Sequence, residues 1–162
     1  MREAKVFIIV GGRGSGKTYF LENRLPAGRS IVVELYKTER WQGYDKIFFE
    51  DLINKKVNYK QLANKAVIFE DATSYISSNM TNEMKRLIVF SKQLGSDVYI
   101  VFHSINIVPP FLWYLWNYII LFKCAKPKRT AAIVDNYSEI LQKWQICERS
   151  KPFHFEIIQS NI

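Results

Sequence analysis

The segment Gly11-Gly12-Arg13-Gly14-Ser15-Gly16-Lys17-Thr18 constrains this chain more than any other. It fits the Walker A pattern G-x-x-x-x-G-K-[ST] at every position. It also lies between an apolar run, Lys5 to Val10, and a segment of helical character from about Gly16 to Arg24. That context gives the pattern its physical meaning. Glycines let successive backbone N–H groups curl around phosphate oxygens without a Cβ in the way, and the start of the helix adds a favourable dipole. Lys17 brings positive charge to the β- and γ-phosphates, and the Thr18 hydroxyl completes a Mg²⁺ shell. Gly11 to Thr18 is therefore read as a nucleoside-triphosphate site, with ATP and Mg²⁺ as the expected ligands.

The remainder alternates apolar runs with amphipathic segments, which predicts an α/β fold around a mainly parallel sheet. Ser30 to Leu35, Ala66 to Phe69, Val98 to Phe102 and Tyr118 to Phe122 read as strands, and Phe153 to Ile158 as the last one. Ile47 to Phe49 is a further strand candidate, and Tyr36 to Asp45 reads as a loop. Thr81 to Leu94 reads as a helix, with Met84, Leu87, Ile88, Ser91 and Leu94 on one face and Gly95 as its terminator. A further helix falls within Asp135 to Cys147. With 162 residues, 48% of them hydrophobic and 23% charged, the chain suits one globular domain over 1–162.

Val98 to Phe122 comes nearest to a membrane span, but His103, Ser104, Asn106, Pro109, Pro110 and Asn117 interrupt it. No apolar run reaches the ~20 residues a spanning helix needs. The charged start and the short run Val6 to Val10 do not resemble a signal peptide, so a cytoplasmic protein is expected. Cys124, Cys147, His103 and His154 lack zinc-ligand spacing.

Glu70 and Asp71 directly follow Val67-Ile68-Phe69, as carboxylates follow a Walker B strand. Such a strand is expected beside the P-loop strand, where one carboxylate joins the Mg²⁺ shell and its neighbour orients or deprotonates water. Position argues for Glu70 at the metal and Asp71 at the water. His103 ends the strand Val98 to Phe102, where a polar side chain can reach a γ-phosphate, and Ser104 and Asn106 are nearby substitutes.

Taken together, Walker A, the Glu70-Asp71-Ala72 strand end, and Lys92-Gln93-Leu94-Gly95-Ser96-Asp97-Val98-Tyr99-Ile100-Val101-Phe102-His103 resemble the FtsK–HerA superfamily of DNA pumps. Within that superfamily lie viral genome-packaging ATPases and the Zot-like proteins of filamentous phage. The similarity spans roughly Lys5 to Lys123. It implies a P-loop NTPase fold, RecA-like, with a mainly parallel sheet flanked by helices. It also implies an ATPase motor that translocates double-stranded DNA, most simply a viral packaging ATPase working as a homo-oligomer, in that family a hexamer. A virion or membrane-associated partner protein, and host cytoplasm or virion as the location, belong to the same implication. By the same resemblance Lys92 stands near a basic position and His103 near a polar sensor, in place of the usual Gln.

Arg86 and Arg129 are candidates for an arginine finger reaching across a subunit boundary. The net charge of +8 favours a polyanionic partner. Tyr36 to Lys46 and Thr73 to Asn79 hold the cations, aromatics and polar groups that could line a DNA channel. Two other readings use the same P-loop: a small-molecule kinase, with Lys126 to Arg129 as a basic lid, and a non-catalytic nucleotide switch.

Overall fold

The computed structural model of the protein describes residues 2–74 and 81–161. In chain order the strands are β1 (Val6–Val10), β2 (Ser30–Glu34), β3 (Asp45–Phe48), β4 (Ala66–Phe69), β5 (Val98–Phe102), β6 (Tyr118–Phe122) and β7 (Phe155–Gln159). The helices are α1 (Lys17–Arg24), α2 (Phe49–Ile53), α3 (Thr81–Gln93) and α4 (Tyr137–Arg149). The strands form one sheet in the order β3-β2-β4-β5-β1-β6-β7, parallel from β3 to β6, with β7 antiparallel on the β6 edge.

The near-continuous apolar strands are explained by burial on both faces. Along β1, Val6, Ile8 and Val10 pack with Met84, Leu87 and Ile88 of α3 and Ile140 of α4 in one core. Ile9 points the other way, into a second core with Leu21 of α1, Trp41 and Phe122. Full burial of each such aliphatic side chain contributes about 1.5–3 kcal/mol. Along α3, Met84, Leu87, Ile88 and Ser91 are buried as the helical spacing predicts. Gly95 then stops the chain at φ 73°, its N–H on the Lys92 carbonyl. A Cβ there would lie 2.8 Å from Asn64 Oδ1.

Three expectations change. The Walker B strand is not beside the P-loop strand: β5 lies between them, pairing Val98 with both Val6 and Val67. Runs of parallel apolar residues look alike wherever they sit in a sheet, so order is a matter of crossovers and not of local sequence. The final strand begins at Phe155, because Phe153 turns the chain with φ 68°. The loop after Tyr36 ends one residue sooner than expected, since Asp45 opens β3, and Trp41 within it is only 1% exposed.

The parallel arrangement has one consequence for chemistry. β1, β2, β4, β5 and β6 all end on the same edge of the sheet, so Gly11, the loop carrying Arg40, Glu70, His103 and Lys123 emerge together. Antiparallel β7 begins on that edge, which brings Phe153 there too.

Candidate functional site

The loop after β1 is stitched to its neighbours before it reaches α1. Gly11 N–H donates to Phe102 O (3.1 Å) and Gly12 N–H to Lys123 O (2.8 Å), so β5 and β6 both fix it. Gly14 (φ 69°) and Gly16 (φ 101°) take left-handed conformations that side chains resist. A Cβ on Gly11 would collide with Ser15 Oγ, so the loop closes tightly on itself. α1 starts at Gly16 with no side-chain cap, which leaves its first N–H groups for an anion. Ser15 Oγ is buried without a hydrogen-bond partner among the described residues. Such a hydroxyl costs about 1–3 kcal/mol until an acceptor such as a phosphate oxygen meets it.

Lys17 Nζ donates to Gly11 O (2.6 Å) and Gly12 O (2.8 Å), which holds the amine under the loop. Burial pushes its pKa down, while Glu70 and Asp71 push it back up. An arriving polyanion would favour the charged ammonium further.

Arg13 to Thr18, Glu70, Asp71 and His103 line one cleft of about 610 Å³. Burial raises the Glu70 carboxyl above its ordinary range, and the indole of Trp41, donating to Oε2 at 3.1 Å, is the strongest influence lowering it. The other oxygen, Oε1, lies 3.9 Å from Arg40 Nη1. Asp71 is held at φ 49°, and its Oδ1 lies 3.0 Å from His103 Nε2. His103 Nδ1 is buried with no hydrogen-bond partner among the described residues. Of the five non-glycine residues with positive φ among those described, Trp41, Asp71 and Phe153 all border this site. Strained backbone concentrated at one place points to function there.

The fold can be compared with solved structures. The genome packaging NTPase B204 of Sulfolobus turreted icosahedral virus 2, in complex with ATP-gammaS, superposes with a TM-score of 0.75 at 18% identity, over 99% of this chain and 94% of that one. B204 described as the DNA-packaging ATPase of Sulfolobus turreted icosahedral virus gives 0.69 at 15% identity, over 99% and 95%. The N-terminal domain of zonular occludens toxin from Neisseria meningitidis gives 0.54 at 13%, over 85% and 91%. The chain has the P-loop NTPase fold. No family model matches the sequence, and no curated protein matches it either.

In this P-loop fold the other predicted residues fall elsewhere. Arg86 lines a separate apolar groove with Tyr59 and Phe90, and Arg129 lies outside the cleft. Neither supplies a cation to its own chain's site. Asn106 accepts from Lys128 N–H at 2.8 Å and donates to Lys126 O at 3.0 Å, so it pins the basic turn and leaves the cleft to His103. Lys126 to Arg129, the suggested lid, does not line the cleft. Lys46 is spent internally, bonding Thr38 O and Arg40 O beside Glu34. Of the Thr73 to Asn79 segment, residues 75–79 lie outside the described residues.

Sequence reasoning missed Arg40, Trp41, Tyr19, Glu22 and Phe153. Tyr19, Glu22, Arg40 and Phe153 line the cleft, and Trp41 braces it from behind through Glu70. An aromatic inside a polar loop is the one local signal that pointed to Trp41. Among the described residues no helix is long and apolar enough to cross a membrane.

Proposed function

We propose that the chain is a Mg²⁺-dependent ATPase whose turnover drives DNA translocation, as the motor subunit of a viral genome-packaging machine. The observation that carries this reading is the convergence of the P-loop, Glu70, Asp71 and His103 on one cleft. The fold shared with packaging NTPases along almost the whole chain supports it. Residues 1–162 would then form one ATPase domain.

ATP would take its phosphates from the P-loop amides, the start of α1 and Lys17, whose ammonium turns from the Gly11 and Gly12 carbonyls to the β- and γ-phosphates. Thr18 and Glu70 would hold Mg²⁺: a hydroxyl and a carboxylate suit an oxygen-seeking ion that keeps several waters. When bound, the ion neutralises charge on the phosphate oxygens. Asp71 would accept the proton of the attacking water, with His103 Nε2 steadying its carboxylate. Arg40 faces the same cleft and offers a cation in cis. Arg86 or Arg129 would complete the site only from a neighbouring subunit, which accords with a homohexameric ring. A charge of +8 would grip duplex phosphates without reading bases.

The test is ATP turnover with and without double-stranded DNA, on protein of known solution mass. Turnover should rise with protein concentration and again with DNA, and DNA affinity should fall steeply with salt. Lys17→Ala should remain folded and lose turnover. A monomer whose hydrolysis ignores DNA but accelerates with a small phosphate acceptor would place the kinase reading ahead. Nucleotide binding without turnover would favour the switch.

A further inference from the structure

Phe153 is an apolar side chain in a costly position. It is 61% exposed, its backbone sits at φ 68°, and it lies in the turn between α4 and β7. Exposure forgoes the burial that normally favours a phenyl ring, and the left-handed conformation adds strain for a residue with a Cβ. Neither feature serves the core.

The ring is nonetheless closely fitted to the phosphate loop. A Cβ on Gly16 would lie 2.5 Å from Phe153 Cδ1, so this P-loop glycine is bare where the phenyl edge passes. Tyr19, one residue beyond Thr18 and 68% exposed, stands 6.4 Å away, centroid to centroid, with its ring tilted by 39°. The two rings make an open aromatic wedge at the rim of the phosphate cleft. Phe153 also borders a second cavity of about 200 Å³ that it shares with Arg13, Lys123 and Lys151. The ring thus stands at the boundary between the space that would hold the phosphates and a smaller space rimmed by cations.

A nucleoside triphosphate whose phosphates lie in the P-loop must send its sugar and base outward along the loop's flank. We infer that Phe153, with Tyr19 beside it, is the stacking platform for the nucleobase. The inference rests on the nucleotide-binding reading and adds to it the part of the substrate that no phosphate contact can recognise. Stacking suits an exposed phenyl because every base presents a π face, and an aromatic side chain has only two χ angles to fix on binding.

The experiment compares binding of ATP with binding of inorganic tripolyphosphate, each with Mg²⁺, to the full chain. Both occupy the P-loop, and only ATP carries a base. Base–aromatic stacking is lost on truncation to alanine, so Phe153→Ala should weaken ATP binding by about 5- to 150-fold and leave tripolyphosphate unchanged. Phe153→Trp should restore ATP binding, and its indole fluorescence should be quenched by ATP and not by tripolyphosphate. A thermal melt of Phe153→Ala close to that of the parent is expected for an exposed ring. Three outcomes overturn the inference: equal loss for both ligands, no loss for either, or indole fluorescence that ATP does not change. If the parent protein binds neither ligand, the nucleotide reading itself fails and takes this inference with it. A parent that binds both ligands, with Phe153→Ala indifferent to the base, refutes stacking alone.

Discussion

Replacing Trp41 with Phe removes one hydrogen bond from Glu70 and leaves the carboxylate in place. The indole N–H donates to Glu70 Oε2 at 3.1 Å, from a ring only 1% exposed and packed edge-on against Tyr44. Burial already raises the Glu70 carboxyl above 4.5. The indole counters this most, then Arg40 and more weakly Lys17, while Asp71 adds to the rise. A hydrogen bond to an ionised group contributes about 1.5–3 kcal/mol. Losing the indole should therefore raise the carboxyl further and cost about that much wherever Glu70 is ionised. The sign follows from linkage. An acid with a raised folded pKa makes the native protein hold its proton more tightly than the unfolded chain does. Its contribution to stability is greatest below the unfolded value and declines as pH rises through the folded value. Trp41→Phe deepens that decline and carries it to higher pH. The variant should thus trail the parent by more at about pH 8 than at about pH 4, whereas the packing lost with the larger ring is the same at both. At roughly 2–4 °C per kcal/mol for a chain of this size, the extra deficit is several degrees in thermal melts. Repeating the pair in a Glu70→Gln background should abolish the pH-dependent part. Equal deficits at both pH values, or pH dependence that survives Glu70→Gln, would refute the coupling and leave Trp41 as packing only.

Other substitutions separate the roles inside the cleft. Glu70→Gln should weaken Mg²⁺-dependent nucleotide binding, whereas Asp71→Asn should preserve binding and slow single-turnover hydrolysis by about 10²- to 10⁴-fold; the reverse pattern would exchange their roles. Arg40→Ala should weaken a non-hydrolysable ATP analogue by about tenfold or more and leave ADP affinity unchanged, as measured by calorimetry, because the guanidinium faces the site 3.9 Å from Glu70. Equal loss for both nucleotides would deny it a role at the γ-phosphate. Gly16→Ala should lower stability by about 1–3 kcal/mol in denaturant melts, since φ is 101° and the added Cβ meets Phe153 at 2.5 Å. A variant as stable as the parent would show that the ring yields freely.

The P-loop was legible because its chemistry is local: eight consecutive residues carry the glycines, the amine and the hydroxyl, and the flanking periods of hydrophobicity give strand and helix. The α/β class, the helix over Thr81–Gln93 and its stop at Gly95 were legible for the same reason, since 3.6-residue spacing and a left-handed terminator are written within a few turns of chain. Glu70, Asp71 and His103 could be singled out as polar residues ending apolar strands. What could not be read was which strands are neighbours. Inserting β5 between β1 and β4 is a crossover choice, and it alone puts His103 3.0 Å from Asp71, 32 positions away in the chain. Trp41 and Phe153 show the same limit more sharply. Both are lone aromatics among mostly polar neighbours, Arg40-Trp41-Gln42 and Pro152-Phe153-His154, yet one is buried and the other exposed. Their places follow from what the far ends of other strands bring to the sheet edge. Local sequence sets what a residue can do, and only the packing of distant segments decides what it touches.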